Sequence, residues 1–237
     1  MCYGSNAEAE GLAPEHRFDP YQQVWEAFQR SQTTVDGRHD TPDWRAREGL
    51  FAACVIRVPA QVLAPNLLAL RRELARMPGV RPHPDHFLHI MLQELGFVVA
   101  DPTRPDDIDG DRLEAFAQSA AELVSRVAPF AISVGGVNSF EDAVFLDVRP
   151  FEPLGQIHER LFDLAAVLHV PDYPYLPHCT VAHYDGTVAT GELIGGLAPW
   201  RDNVCGEFIV AEIELVTIDP RETYPELQSY AVIPLGG

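Results

Sequence analysis

The sequence predicts an α+β protein in which antiparallel strands form the core and helices pack outside them. Apolar stretches with strand character alternate with stretches whose apolar residues recur at helical spacing, and several adjacent strands are joined by short connections. The two halves of the chain also repeat one order, namely a strand, a helix, and then a strand that opens with histidine. This repeat indicates a single pseudo-symmetric domain with two lobes.

The N-terminal residues 1–48 are polar and differ from the rest, so we interpret them as an extension of the main domain. One amphipathic helix is predicted there over residues 19–30, with Pro20 in its first turn, where proline is favoured. We expect its apolar stripe to dock on the main body, and a loosely attached arm is the alternative. The stripe, spaced by three and four residues, consists of Tyr21, Val24, Trp25 and Phe28.

The main domain is assigned to residues 49–237, in which strands and helices alternate. Apolar residues recur with the helical period in four segments, which predicts helices at residues 66–77, 109–127, 154–168 and 190–197. The remaining apolar segments predict strands at residues 50–58, 87–97, 130–137, 143–148, 178–184, 207–217 and 229–234.

The net charge of the chain argues against long nucleic acids as partners. All 17 basic side chains are arginines and 35 side chains are acidic, which gives a net charge of −18. Because binding to long nucleic acid requires cations that displace phosphate counterions, we expect no binding to extended duplexes. A small nucleotide or the terminus of an RNA strand remains compatible with a local group of arginines.

Other features indicate a reducing compartment. The four cysteines are far apart and form no Cys-x-x-Cys pair, which argues against zinc-finger and thioredoxin-like motifs. The chain has no apolar stretch of membrane-spanning length, and its first residues lack the basic and apolar regions of a signal peptide. We therefore expect a cytoplasmic monomer without membrane contact.

Two segments carry the strongest chemical signal, and each is a predicted strand that opens with histidine. His89 and Met91 share one face of the first strand, because alternate residues of a strand point the same way. His178 and Thr180 share one face of the second strand for the same reason. If both strands belong to one concave sheet, the two imidazoles converge on one site. A neutral and a protonated histidine can supply the base and the acid that cleave a phosphodiester, and a threonine hydroxyl can donate to a phosphate oxygen.

These segments resemble the two His-x-Thr/Ser-x signatures of the 2H phosphoesterase superfamily. Within it, the resemblance is to the branch of 2′-5′ RNA ligases and RNA 2′,3′-cyclic phosphodiesterases. It covers residues 50–237. The matching stretches are the opening strand that ends at Pro59, a Leu-Gly-terminated motif at residues 89–96, the run Tyr-Leu-Pro-His-Cys-Thr-Val-Ala at residues 175–182, and the closing strands within residues 206–234.

The resemblance implies a bilobal fold in which antiparallel sheets form a central cleft, and phosphodiester chemistry without metal or cofactor. It assigns catalytic roles to His89 and His178 and phosphate binding to Thr180. Two positions depart from the family pattern: Met91 replaces the first Thr or Ser, and His183 stands where arginine is frequent. A thioether cannot donate a hydrogen bond. Loss of one such bond to phosphate costs about 1.5–3 kcal/mol, or roughly ten- to a hundredfold in rate.

Four further residues near the motifs are candidates for substrate contacts. Tyrosines can stack on a base, and the alternative is that they cap the edge of the sheet. A His-x-x-His-x-x-His run ends at His89, but we expect no metal site there, because residues three apart on a strand face opposite sides. We interpret His83 and His86 of this run as loop residues near the mouth of the cleft. The four candidates are Met91, Tyr175, His183 and Tyr184.

The sequence therefore predicts an enzyme, a phosphodiesterase that acts on a 2′,3′-cyclic phosphate or on a 2′-5′-linked nucleotide or RNA end. One histidine activates water or a 2′-hydroxyl and the other protonates the leaving oxygen, and the residues do not decide which does which. The alternative, motivated by Met91, is a binding module of the same fold that recognises a small phosphorylated nucleotide with weak or no catalysis. A third interpretation is an acidic interaction protein whose contact is the N-terminal stripe.

Overall fold

In the residues that the structure describes, ten strands form one curled, mainly antiparallel sheet, a half-barrel with helices on its outside. The computed structural model describes residues 19–38, 40–166 and 174–236. Within them the predicted α+β class with antiparallel strands is confirmed. None of the helices in these residues combines the length and the apolar character that a membrane span needs.

The strands are β1 (Leu50–Arg57), β2 (Val80–Pro82), β3 (His89–Val98), β4 (Asp107–Ile108), β5 (Phe130–Ser139), β6 (Ala143–Arg149), β7 (His178–Tyr184), β8 (Val204–Val210), β9 (Glu212–Ile218) and β10 (Gln228–Pro234). The helices are α1 (Pro20–Arg30), α2 (Pro42–Arg45), α3 (Ala60–Leu63), α4 (Asn66–Leu74), α5 (Gly110–Val124), α6 (Glu152–Ala165) and α7 (Thr190–Leu197). Short 3₁₀ turns occupy Asp85–Phe87 and Ala198–Trp200.

The strand order divides the sheet into two lobes. The order is β10-β9-β1-β3-β7-β6-β5-β8, with β2 beside β7 and β4 beside β3. The first lobe consists of β10, β9, β1 and β3, and the second of β7, β6, β5 and β8. The lobes join where β3 meets β7, through the antiparallel pair Ile90 and Cys179. We call this junction the seam.

The prediction of one long strand over residues 207–217 is wrong. The chain forms two strands here, separated at Ala211: β8 pairs with β5 in the second lobe, and β9 pairs with β1 in the first. The segment therefore crosses from one lobe to the other. The apolar pattern continues through Ala211 without glycine or proline, so no local signal marks the crossing. The short elements β2, β4, α2 and α3 were not predicted either, because two to four residues are too few to show a period.

The main core lies between the sheet and the outer helices. At the seam, the side chains of Ile90 and Cys179 are both fully buried in it. A second apolar cluster covers the opposite, concave face of the first lobe. We call it the concave cluster, and its buried members are Phe51, Ala53, Val55, Phe87, Phe97, Val216 and Leu227.

Helix α1 occupies the segment in which the sequence predicts a helix, and its apolar stripe packs on the second lobe. Tyr21, Trp25 and Phe28 are buried, and the side chain of Asp19 caps the helix by accepting from the Tyr21 N–H at 3.1 Å. The Tyr21 hydroxyl lies 2.6 Å from the carbonyl oxygen of Pro177 and 2.7 Å from that of Val148, and it accepts from the Val148 N–H at 3.2 Å. The helix thus holds the residue that precedes His178.

The chain after α1 forms what we call the strap, residues 33–38 and 40–45. Its first part runs along the second lobe. The N–H of Thr34 donates to the carbonyl of Val188 at 2.9 Å, and the Thr34 hydroxyl donates to that of Gly186 at 2.8 Å. The N–H of Gly37 donates to the carbonyl of Tyr184, the last residue of β7, at 3.0 Å.

The second part of the strap binds the loop between β9 and β10 in the first lobe. The Arg45 guanidinium donates to Asp40 at 2.7 Å, to the hydroxyl of Thr223 at 2.8 Å and to the carbonyl of Arg221 at 2.9 Å. The Thr223 hydroxyl in turn donates to Asp40 at 2.7 Å. The strap therefore connects both lobes.

Replacing Tyr21 with Phe should lower the free energy of unfolding by about 1–3 kcal/mol, because buried backbone groups of Val148 and Pro177 lose their partner. Urea denaturation followed by circular dichroism measures the change. The matched control is Tyr230→Phe, since the Tyr230 hydroxyl binds Glu114 at the surface and its loss should change stability by less than about 0.5 kcal/mol. Equal effects of the two substitutions would contradict the anchoring role of Tyr21.

Candidate functional site

The register at the seam assembles the predicted site. Because Ile90 pairs with Cys179 in antiparallel sense, the flanking positions bring His89 next to Thr180 and Met91 next to His178. Ile90 and Cys179 point into the core, so these four neighbours point to the concave face. The two histidines occupy diagonal corners of this group, roughly 7–8 Å apart at the backbone. We call the four residues, His89, Met91, His178 and Thr180, the seam cluster.

Both histidines are oriented by the same local contact. Nδ1 of His89 lies 2.7 Å from the carbonyl oxygen of Phe87, and Nδ1 of His178 lies 2.7 Å from that of Leu176. A carbonyl oxygen only accepts, so each Nδ1 carries the hydrogen and donates it. Proton exchange is thereby left to Nε2 of each ring. The equivalent contact in both lobes reflects the pseudo-symmetry.

The surroundings of His178 favour its neutral form. Its ring meets the rings of Phe140 and Phe145 at centroid distances of 5.2 and 5.1 Å. Burial lowers the pKa of His178, and the hydrogen bond to Leu176 and the charge of Asp142 oppose this only in part. A neutral imidazole at pH 7 can act as a base.

Asp147 is a buried acid beside His178 that the sequence analysis did not single out. It pairs with His178 across β6 and β7 and accepts a hydrogen bond from the Asn138 amide at 3.0 Å. Burial raises the pKa of Asp147 to about 7, against the opposing effect of Asn138 and of the Arg201 guanidinium 3.7 Å away. A carboxyl group that titrates near neutrality therefore lies next to the seam cluster.

A cavity of about 130 Å³ opens on the His89 side of the seam. His89, Met91 and Thr180 line it, whereas His178 is not among its lining residues. Members of the concave cluster form its floor, and Met91 packs against that cluster. The aromatic side chains of Trp44 and Tyr224 form its walls.

The family follows from the sequence match. Residues 59–222, which include both histidine strands, match the family model described as the 2′-5′ RNA ligase superfamily. The chain belongs to this superfamily. The comparison with curated proteins gives no match.

Solved structures of the superfamily's fold are similar over most of the chain. LigT from E. coli, solved in complex with 3′-AMP, is 19% identical, with a TM-score of 0.61 over 80% of this chain and 100% of LigT. TT0787 from Thermus thermophilus is 20% identical, with a TM-score of 0.54 over 79% of this chain and 98% of that chain. ATU0111, a conserved protein of unknown function from Agrobacterium tumefaciens, is 14% identical, with a TM-score of 0.53 over 78% and 85% of the chains. At these identities the similarity establishes the fold.

The superfamily match explains the histidine strands but not every predicted substrate contact. Tyr184, a predicted substrate contact, is not among the residues that line the cavity: its side chain is fully buried and its hydroxyl lies 2.7 Å from that of Ser139. The reason is a bulge: Phe145 pairs with Thr180 but Val144 with Ala182, so β7 contains one extra residue. Beyond it the alternation of faces reverses, and His183 lines the cavity instead.

Tyr175 supports β3 from behind the site. Its hydroxyl donates to the carbonyl of Met91 at 2.8 Å, and its ring stacks on that of His158 at 3.9 Å. It is not among the residues that line the cavity. The carbonyl contact makes Tyr175 a support for Met91 rather than a surface for a base.

His83 lies in the loop between β2 and the turn Asp85–Phe87, as predicted, and it lines the cavity. His83 is buried, and its Nε2 lies 3.0 Å from Nδ1 of His183, which is buried as well. The two rings form part of the cavity wall. His86 lies in the turn Asp85–Phe87 and is exposed. In the part of the chain that the structure describes, no group of three or more His, Cys, Asp or Glu side chains is arranged to hold a metal ion.

We predict that the His178 imidazole titrates below the ordinary histidine value of about 6.5, because burial disfavours its charged form. Phe140→Ala should admit water to the ring and move the midpoint upward toward 6.5. NMR titration of the histidine side chains measures both midpoints. Phe151→Ala, at a remote and more exposed phenylalanine, should leave His178 unchanged. A midpoint at or above 6.5 in the unaltered protein would refute this account of the site.

Proposed function

We propose that this protein is a phosphodiesterase that acts on 2′,3′-cyclic phosphates or 2′-5′-linked nucleotides or RNA ends by acid–base catalysis with two histidines. The observation that carries the proposal is the seam cluster, in which His89 and His178 lie diagonally on one concave face with Nδ1 of each bound to a carbonyl. Membership of the 2′-5′ RNA ligase superfamily supports the same reaction class.

The proposed step uses the two rings on opposite sides of one phosphorus atom. Neutral His178 removes a proton from the attacking water through Nε2, and the new P–O bond forms. The bond from phosphorus to the 2′- or 3′-oxygen breaks, and protonated His89 gives its proton to that oxygen. Thr180 donates its hydroxyl hydrogen to a non-bridging phosphate oxygen. The rings end in exchanged protonation states, and proton exchange with solvent restores them.

The burial of His178 decides which ring is the base in this proposal. Since burial lowers the pKa of His178 and so favours its neutral form, we assign that ring as the base. The acid is then His89. LigT, whose fold is similar, has been solved in complexes with 3′-AMP and with phosphate, which supports a nucleotide as the ligand class for this cleft.

Met91 favours a second candidate function, a nucleotide-binding module with weak catalysis. The Met91 thioether lies where the family signature has a hydroxyl, diagonal to Thr180 in the seam cluster. A phosphate at this position therefore receives one hydrogen bond fewer. Tight binding without product formation would favour the module.

The double substitution His89→Ala/His178→Ala should abolish turnover, and each single substitution should lower it by at least about 100-fold, because each ring transfers a proton in the reaction. The assay is a panel of 2′,3′-cyclic nucleotides and 2′-5′ dinucleotides, with product analysis. EDTA should leave the rate unchanged, and the pH–rate profile should be bell-shaped with its acid limb below pH 6.5. His86→Gln is the matched control, since it changes an exposed histidine outside the seam cluster and keeps an N–H that can donate to the carbonyl of Tyr224, which lies 2.9 Å from His86 Nε2. Undiminished turnover in the double variant would eliminate this function.

Met91→Thr should raise kcat/KM by roughly ten- to a hundredfold, because it introduces a hydroxyl donor for phosphate. Met91→Leu is the matched control: it keeps the apolar volume, adds no donor and should not raise the rate. Steady-state kinetics on the best substrate of the panel measures the difference. If Thr and Leu at this position behave alike, the thioether is not what limits the reaction.

A further inference from the structure

The cavity beside His89 has a different chemical character from the seam cluster. Its floor is formed by apolar side chains of β1 and β9, including Phe51, Val55 and Val216. Trp44 and Tyr224 add aromatic walls. A phosphate would lose its hydration on such a surface without gaining donors. The cavity is therefore suited to an uncharged, flat part of a ligand whose phosphate lies at the seam.

One wall of this cavity comes from the strap, which lies outside the matched family region of residues 59–222. Trp44 is held on the sheet by ring contacts with Phe51 and Phe97, both at 4.9 Å between centroids. The next residue, Arg45, binds the loop that carries Tyr224 through its bonds to Arg221 and Thr223. These hydrogen bonds connect the segment that carries Trp44 with the loop that carries Tyr224.

The side chain of Tyr224 also has a defined position. Its backbone adopts a φ of +51°, a left-handed conformation that is uncommon for a tyrosine. Its ring packs against those of His83 and Phe87, with centroids 4.8 and 5.5 Å away. The cavity wall is therefore formed by side chains that already have defined positions, which reduces the entropy lost when a ligand binds.

The charges around the cavity do not favour a second phosphate. Arg38 and Arg81 line it, but each guanidinium is bound to a carboxylate: Arg38 to Asp36 at 2.5 Å and Arg81 to Asp185 at 2.6 Å. Further carboxylates line the cavity and add negative charge, namely Asp40, Glu94 and Glu222. A polyanionic chain that continued through this region would meet net negative charge.

We infer that the cavity binds the single uncharged base of a mononucleotide-sized phosphodiester, and that the strap, through Trp44, is part of the substrate-binding site. The inference rests on the proposed function for the position of the phosphate. Base stacking on an aromatic side chain supplies the binding energy and is tolerant of base identity. Trp44 is then a substrate-binding residue that affects the affinity for the base rather than proton transfer.

The test combines kinetics with a binding measurement that needs no turnover. Trp44→Ala should raise KM for 2′,3′-cyclic AMP at least tenfold and change kcat less than threefold, whereas Trp44→Phe should retain most of the binding. In isothermal titration, Trp44→Ala should weaken binding of 3′-AMP at least tenfold and leave binding of inorganic phosphate unchanged. The matched control is Trp200→Phe, at a tryptophan outside the cavity, which should alter none of these values.

The last part of the test compares kcat/KM for a longer substrate. A short oligonucleotide with a 2′,3′-cyclic end should have a kcat/KM at least tenfold below that of the cyclic mononucleotide. Unchanged 3′-AMP affinity in Trp44→Ala, or in Trp44→Leu should the alanine variant not fold, would overturn the inference even if turnover persists. Absence of turnover in the unaltered protein, with Trp44-dependent binding of 3′-AMP, would overturn the proposed reaction and leave the base site standing.

Discussion

The site depends on one short contact between two strands. The pairing of Ile90 with Cys179 joins the two lobes of the sheet, and it sends both of these side chains into the core. Their neighbours must then face the concave side, which is how residues about 90 positions apart in the chain come together. A slip of one residue at this junction would turn the histidines into the core and the apolar pair toward solvent. The burial of the apolar pair therefore fixes the position of the catalytic candidates.

The N-terminal extension reinforces this junction from outside the family region. Tyr21 holds the carbonyl of Pro177, which directly precedes His178, and the strap then continues from the second lobe to the first. The extension thus contacts both the strand that carries one imidazole and the loop that walls the cavity beside the other. Residues that precede the matched family region of residues 59–222 thus form part of the cavity beside His89.

The sequence predicted what is local or periodic. The positions of α1 and β7 follow from apolar spacing and from motifs within a few residues, whereas β3 was predicted over residues 87–97 and begins at His89. The crossing of the chain between lobes at Ala211 was not predicted, because the same alternation of apolar and polar residues suits one long strand or two short ones. The burial of Tyr184 was not predicted for a similar reason: strict alternation places it on the same face as His178, and a single extra residue in β7 reverses the face.

The rest of the site depends on tertiary contacts. Trp44 and Tyr224 are about 180 residues apart, and neither lies in a periodic segment, so nothing in the chain indicates that they wall one cavity. In the sequence Asp147 is an ordinary strand residue. Its burial beside His178, which raises its pKa toward neutrality, is a consequence of the fold. The pairing of His83 with His183 likewise requires β2 beside β7, a strand too short to be predicted.

The most direct measurement is an NMR titration of the protein with inorganic phosphate, following the side-chain resonances of His89 and His178. If one phosphate is held between the two rings, both resonances shift in a single saturable event with one shared Kd, and substitution of either histidine weakens the response of the other. Two different dissociation constants, or a response confined to one ring, would contradict a common site.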